Sequence, residues 1–314
     1  MNPKTTNYWY ENQISNYDEE KIGGEFAGTT AYLSDEQTGE AVKEQVIHIF
    51  KPKHMGTHMN IDEKMIGKRY CTILSNPKSG KIAMLMESMN PGLIADALSC
   101  FCSEVLNKVK HICCDMSPMF KKLCKEWFSQ AIVTVDKYHV IKHALDFLQG
   151  IRIEEKNNLS PDDHQQIEDT LWTRKQLLTK SRYLLFKAKE KWNDDEMIIA
   201  IHLFKLYPNI KLAYEYVQRL RQWYNLENKI QPKWWLEKHI EQWVEDIEQD
   251  FPRSSSFIRK MLIKYQENII NFFSDGLTNS KAKNLNGKIQ RFVANNYGLR
   301  NRDFFYYRLQ VYFA

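Results

Sequence analysis

The order of apolar runs over residues 56–155 narrows most sharply what this chain can become. In "HMNIDEKMIGKRYCTILSNPKSGKIAMLMES", apolar stretches at about 58–63, 68–75 and 80–87 alternate with polar breaks. Asn76-Pro77-Lys78-Ser79-Gly80 has the composition of a turn. The three stretches read as hairpin-linked strands. Asn90-Pro91-Gly92 then opens a helix. Ile94, Leu98, Phe101, Val105 and Val109 recur at steps of three and four, which predicts one amphipathic helix through to Val109. "KHICCDM" (110–116) reads as a short buried strand. "SPMFKKLCKEWF" (117–128) reads as a helix with Ser117 as N-cap and Pro118 in its first turn. "AIVTVDKYHV" (131–140) is another strand, followed by the helix "IKHALDFLQGIRIEE".

The resulting order, three strands and then alternating helices and strands, indicates a layered α/β domain. It is also the element order of a ribonuclease-H-like fold, a mixed sheet flanked by helices. From Ser160 to about Asp275 the pattern is all-helical. Ser160-Pro161-Asp162 starts one helix, and Pro208 begins another with Leu212, Tyr216 and Leu220 in register. Trp234, Leu236, Ile240, Trp243 and Ile247 form a third stripe. Ser254–Ser256 caps a fourth, which runs through Phe273 to Asp275-Gly276. The pattern thus divides the chain into an α/β part, a helical part and a basic stretch after Asp275. Residues 1–55 form an N-terminal extension in which "EQVIHIF" (44–50) can make a short strand.

Composition supports a real core: 43% of residues are hydrophobic, and 12 Gly and 9 Pro are too few for an all-β chain built on tight turns. The Trp and Tyr of the helical segment read mostly as core, though some can stack on bases, and spacing does not say which. Six Cys cluster between Cys71 and Cys124 as C-x-C and C-C. That spacing disfavours a zinc site built with His111 and suits reduced thiols in a cytoplasmic protein. No signal peptide and no apolar run of membrane-spanning length is expected. The chain has no Gly-rich phosphate loop, no H-E-x-x-H and no G-x-S-x-G, which disfavours a nucleotide-driven motor or a serine hydrolase.

Two acids stand out. Asp62 closes the first predicted strand and Asp115 the fourth, and in the ribonuclease-H order these strands are neighbours. Either acid alone reads as a turn or cap residue, but together they can share a divalent cation. Glu63 alternates to the opposite face. Asp136 and His139 form D-x-x-H at a strand-to-helix junction, where His139 can orient Asp136 or a phosphate, or the two form a satisfied structural pair. Net charge is +5, yet residues 276–314 hold seven Lys and Arg against one Asp, a local +6. A basic segment interleaved with aromatics is a candidate nucleic-acid footprint or a solvated helix face.

"NIDE…KRYCTILSNPKSGKI", "CCDMSPMF", "AIVTVDKYHVIKHALDFL" and "LTNSKAKNLNGKIQRFVANNYGLRNRDFFYYRL" together resemble bacterial insertion-sequence transposases of the DDE type. The ISL-three family, a Mutator-like relative, is the match, and the resemblance covers about residues 56–314. It implies a ribonuclease-H-like catalytic core of residues 56–155 and 276–314, interrupted by a helical insertion at 156–275. It also implies two-metal DNA cleavage and strand transfer with Mg²⁺ or Mn²⁺, acting on double-stranded DNA as a homo-oligomer. Carried over, Asp62 and Asp115 match the first two metal-binding acids, and Asp136 and His139 the D-x-x-H element. Lys281, Lys283, Lys288, Arg291, Arg300 and Arg302 are the expected phosphate contacts. The family pattern places its third acid, a Glu, five residues after the Thr of "TN", where this chain has Lys283. The alternative expectation is therefore a catalytically inactive relative that retains only binding. The family's N-terminal zinc and helix-turn-helix region has no counterpart in residues 1–55, so reading of the transposon ends is expected either from a separate polypeptide or to have been lost.

Overall fold

The computed structural model describes residues 47–66, 69–160, 166–168, 170–225, 232–273, 280–295 and 302–314. Within these, the side chains of 280–284, 286, 302 and 303 are not described. The chain divides into two compact units, residues 1–134 with 278–314, and residues 135–277.

The first unit is built on a six-stranded mixed sheet. Its strands are β1 (Ile47–Phe50), β2 (His58–Ile66), β3 (Arg69–Asn76), β4 (Lys81–Met86), β5 (His111–Cys114) and β6 (Ile132–Val135), in the order β1-β4-β3-β2-β5-β6. β2, β3 and β4 form the expected antiparallel meander, and β5 runs parallel to β2. The strand anticipated in 44–50 is β1, which adds an antiparallel edge to β4. The turn before β4 closes as its composition requires. Asn76 Oδ1 accepts from the amides of Lys78 and Ser79, and Gly80 adopts φ 69°, a left-handed conformation that only glycine takes cheaply.

β3 and β4 are buried on both faces, hence their nearly unbroken apolar sequences. One face packs Ile61, Leu74, Met84 and Ile112 under α1 (Pro91–Ser99), α2 (Ser103–Asn107) and α3 (Pro118–Trp127), through Ile94, Leu98, Leu106, Phe120 and Leu123. The other packs Ile49, Ile73, Ile82 and Leu85 against Leu285 and Ile289 of α10 (Ser280–Asn295) and Tyr306 and Leu309 of α11 (Arg302–Phe313).

The single helix expected through Val109 is broken at Cys100–Cys102. Ser99 Oγ and Cys100 Sγ both bond back to the Asp96 carbonyl, and Cys102 is extended at ψ 153°. Such side-chain bonds compete with the helical ladder. The stripe is still served: Ile94, Leu98, Phe101 and Val109 are buried, with Val105 only partly so.

The second unit comprises α4 (Lys137–Asn157), α5 (Arg174–Leu184), α6 (Asp194–Leu206), α7 (Pro208–Tyr224), α8 (Lys233–Asp250) and α9 (Ser256–Ile270). α4 begins four residues earlier than expected, because Asp136 Oδ1 accepts from the Tyr138 amide and caps it. Pro208 opens α7 as expected. In α8, Leu236, Ile240, Trp243 and Ile247 are buried, but Trp234 is 64% exposed and does not belong to the stripe. Ser255 is the N-cap residue of α9, without a side-chain bond. The helix start expected at Pro161-Asp162 and the stop at Asp275-Gly276 lie outside the described residues. Among the described residues, no helix is long and apolar enough to cross a membrane.

The fold is thus α/β. It is a mixed sheet flanked by helices, with the ribonuclease-H-like order, and the chain passes through a helical stretch before returning to cover the sheet.

Candidate metal centre

The parallel pairing of β2 with β5 matches His58 with His111 and ends with Ile61 matched to Cys114. Asp62 and Asp115 are the next residue on each strand. Ile61 and Cys114 both turn into the core under α1–α3, so strand alternation turns the next residues to the opposite face. There, a carboxylate oxygen of Asp62 lies within 4.8 Å of one of Asp115, and both residues are partly exposed. Asp62 is not at the end of its strand as expected, since β2 continues beside β3 to Ile66. What ends beside it is β5: Asp115 leaves the ladder, and Ser117-Pro118 turns the chain into α3. The pair therefore stands where the parallel ladder of β2 and β5 ends, at the carboxyl end of β5, and ligands of open α/β sheets bind at such strand ends.

Asp62 Oδ1 accepts from the Glu63 amide at 2.9 Å, which fixes one of its oxygens. Two ionised carboxylates this close repel each other, and a divalent cation between them removes the repulsion. Hard, charged oxygen donors suit Mg²⁺ or Mn²⁺, so the donor set fits the ion that the resemblance implies. Cys114 does not compete for it. A hydrogen bond with Cys124 and burial push its thiol well above the usual range, and its Sγ donates to the Thr134 carbonyl.

Asp136 and His139 sit at the start of α4, directly after β6, which is the neighbour of β5 in the sheet. The Asp136 side chain caps the helix, and His139 lies one turn in, its ring edge-on to Tyr138 at 5.7 Å.

α10 carries the sequence that the third acid would occupy. Lys283 lies in its second turn, and Lys281 near its start, with undescribed side chains. Gln290 is seven residues beyond Lys283, two helical turns, so the two positions share a flank. That flank is turned to β2, because Lys64 Nζ donates to Gln290 Oε1 at 3.1 Å. Lys64 lies on the same face of β2 as Asp62. Lys288 and Arg291 are exposed on α10. Arg302 opens α11 with an undescribed side chain, and Arg300, like Thr278-Asn279, lies outside the described residues. Arg308, counted in the basic segment, lies over the Phe292 ring at 5.6 Å.

A polar cluster that sequence reading missed holds α11 in place. Glu87, whose side chain is 5% exposed, takes Arg69 Nη1 at 2.8 Å, His48 Nε2 at 3.2 Å and the Tyr306 hydroxyl at 3.1 Å. The His48 ring stacks on Tyr306 at 3.4 Å. His48 and Tyr306 are 39 and 219 residues from Glu87 along the chain, beyond any local pattern.

No curated protein matches the chain. A family model described as a transposase, that of the ISL-three DDE transposases, matches residues 59–309. That span takes in β2 with Asp62, β5 with the adjoining Asp115, the helical stretch and α10. The chain belongs to the ISL-three family of transposases.

Proposed function

We propose that this insertion-sequence transposase cleaves and joins DNA with a divalent cation held by Asp62 and Asp115. The observation that carries the proposal is the approach of these two carboxylates to within 4.8 Å where the parallel ladder of β2 and β5 ends. His139, leaving the neighbouring strand, is the further residue proposed to orient the site, with Asp136 as its helix cap. When bound, the cation supplies Lewis-acid polarisation of the scissile phosphate and of the attacking hydroxyl. The carboxylates fix the position of that charge. Lys288 and Arg291, exposed on α10, are proposed to hold the DNA backbone, together with Lys281, Lys283, Arg300 and Arg302. The proposal extends to a homo-oligomer in the cytoplasm.

Lys283 supports a second reading. A charged lysine cannot ligate a cation, and it stands where the family pattern has its Glu. In this reading the protein binds DNA and the cation but does not cleave. A strand-cleavage assay with Mn²⁺ on duplex DNA separates the two. Cleavage by the wild type that is lost in both Asp62→Ala and Asp115→Ala supports the active reading. Cleavage gained only in Lys283→Glu supports the inactive one. Wild-type cleavage that survives in either alanine variant defeats the assignment of the pair.

A further inference from the structure

We propose that the cavity between α7, α8 and α9 receives an unstacked base of the bound DNA. The inference rests on DNA as the substrate, as proposed above. The cavity has a volume of about 320 Å³. That is the lower end of small-ligand sites, which run from about 300 to 1,000 Å³, and it suits a single nucleoside rather than a larger group. Its walls are unusually aromatic. Trp223 of α7 and Trp235, His239 and Trp243 of α8 line it, with Leu262 and Ile269 of α9. The His239 ring lies against Trp235 at 3.6 Å and 33°, and its Nδ1 is tied to the Trp235 carbonyl at 2.8 Å, so this wall is pre-set. Bases of every kind present a π-face, and indoles are good platforms for them.

The flat rings of the lining favour a planar π-faced occupant over an aliphatic one. The charges also permit a phosphate at the rim. Lys238 and Gln242 are exposed on the flank of α8 next to His239, where Glu245 also lies, while Glu237, Glu241 and Glu248 fall on its opposite side. Asp246, on the cavity side, is neutralised by Arg219 at 2.8 Å. A base that is unpaired at a strand end is the cheapest to unstack.

The test uses the full chain and a duplex with a single-stranded 3′ overhang ending in 2-aminopurine, read by fluorescence and by anisotropy. Binding is expected to quench the probe. Trp235→Ala is expected to relieve most of the quenching and to weaken overhang binding about tenfold, with blunt-duplex binding unchanged. Trp234→Ala, at the exposed neighbouring position, is the control and is expected to change neither signal. Equal quenching in wild type and Trp235→Ala overturns the proposal while leaving DNA binding intact. Absence of any DNA binding by the wild type removes both this proposal and the reading beneath it. A change of oligomeric state in Trp235→Ala with unchanged quenching assigns the cavity to a protein side chain, and the proposal fails.

Discussion

Lys64 and Gln290 are 226 residues apart in the chain, yet the Lys64 ammonium donates to the Gln290 amide oxygen at 3.1 Å. This hydrogen bond joins the strand that holds Asp62 to the helix that holds Lys283. It lies at the edge of a core in which Ile66 of β2 and Leu285 and Ile289 of α10 are buried together. Position 283 is therefore on a helix flank turned to the strand that holds Asp62.

Cation binding is expected to need both aspartates. Titration of the wild type with Mn²⁺ should raise its melting temperature by mass action. Asp62→Asn and Asp115→Asn should each weaken the ion by about tenfold or more. Their melting temperatures without Mn²⁺ should not fall, because removing one of two like charges relieves repulsion. Calorimetry and thermal melts check both outcomes. Undiminished binding in either variant counts against the site.

Lys283→Glu is expected to add a carboxylate to the β2-facing flank of α10. Mn²⁺ affinity should rise, and cleavage of duplex DNA should appear or increase. Chelation by EDTA should abolish that cleavage and lower the melting temperature back to the metal-free value. Lys283→Gln removes the ammonium without adding a ligand, and it should not reproduce the gain in cleavage.

The exposed bases of α10 should act through salt. Lys288→Ala and Arg291→Ala each remove one cation that can neutralise a phosphate. Each should flatten the dependence of log affinity on log salt by about 0.9. Cation affinity at the aspartates should be unchanged. Filter binding of one duplex over a salt series measures the slope, and an unaltered slope in both variants removes these residues from the interface.

Tyr306 should carry a pH signature. Burial, with the neighbouring Cys71 thiol and Glu87 carboxylate, pushes its phenol well above the ordinary tyrosine value near 10. A group whose folded pKa is raised stabilises fully below its unfolded pKa. Stability should therefore fall as pH rises above about 10, where the unfolded chain ionises first. Tyr306→Phe should cost about 1–2 kcal/mol at neutral pH by removing a donor to buried Glu87. It should also lose part of the alkaline decline. Urea melts between pH 7 and 11 check both effects, and parallel declines in the two proteins would show that the hydroxyl is not responsible.

Much of the candidate site's arrangement was legible because it depends on local patterns and one topological rule. Hairpin turns set β2, β3 and β4, and helical crossovers set β5 and β6. The strand order then makes β2 and β5 neighbours, which brings Asp62 beside Asp115 without knowledge of any tertiary packing. Local competition was less legible. The stripe from Ile94 to Val109 has one helical period, yet Ser99 and Cys100 bonded to the Asp96 carbonyl divide it in two. Trp234 fits the stripe by type but falls on the solvent side of α8 by angle.

By itself the sequence determined the α/β layering and the pairing of the two acids, since both follow from residue type and the order of elements, while the reading of Lys283 came from the resemblance to the family pattern. Only the tertiary structure decided what joins distant segments. Glu87 gathers Arg69, His48 and Tyr306, Lys64 meets Gln290, and Trp223, Trp235 and Trp243 line one cavity. These depend on helix rotation and on burial between segments far apart in the chain, and one-dimensional periodicity carries neither.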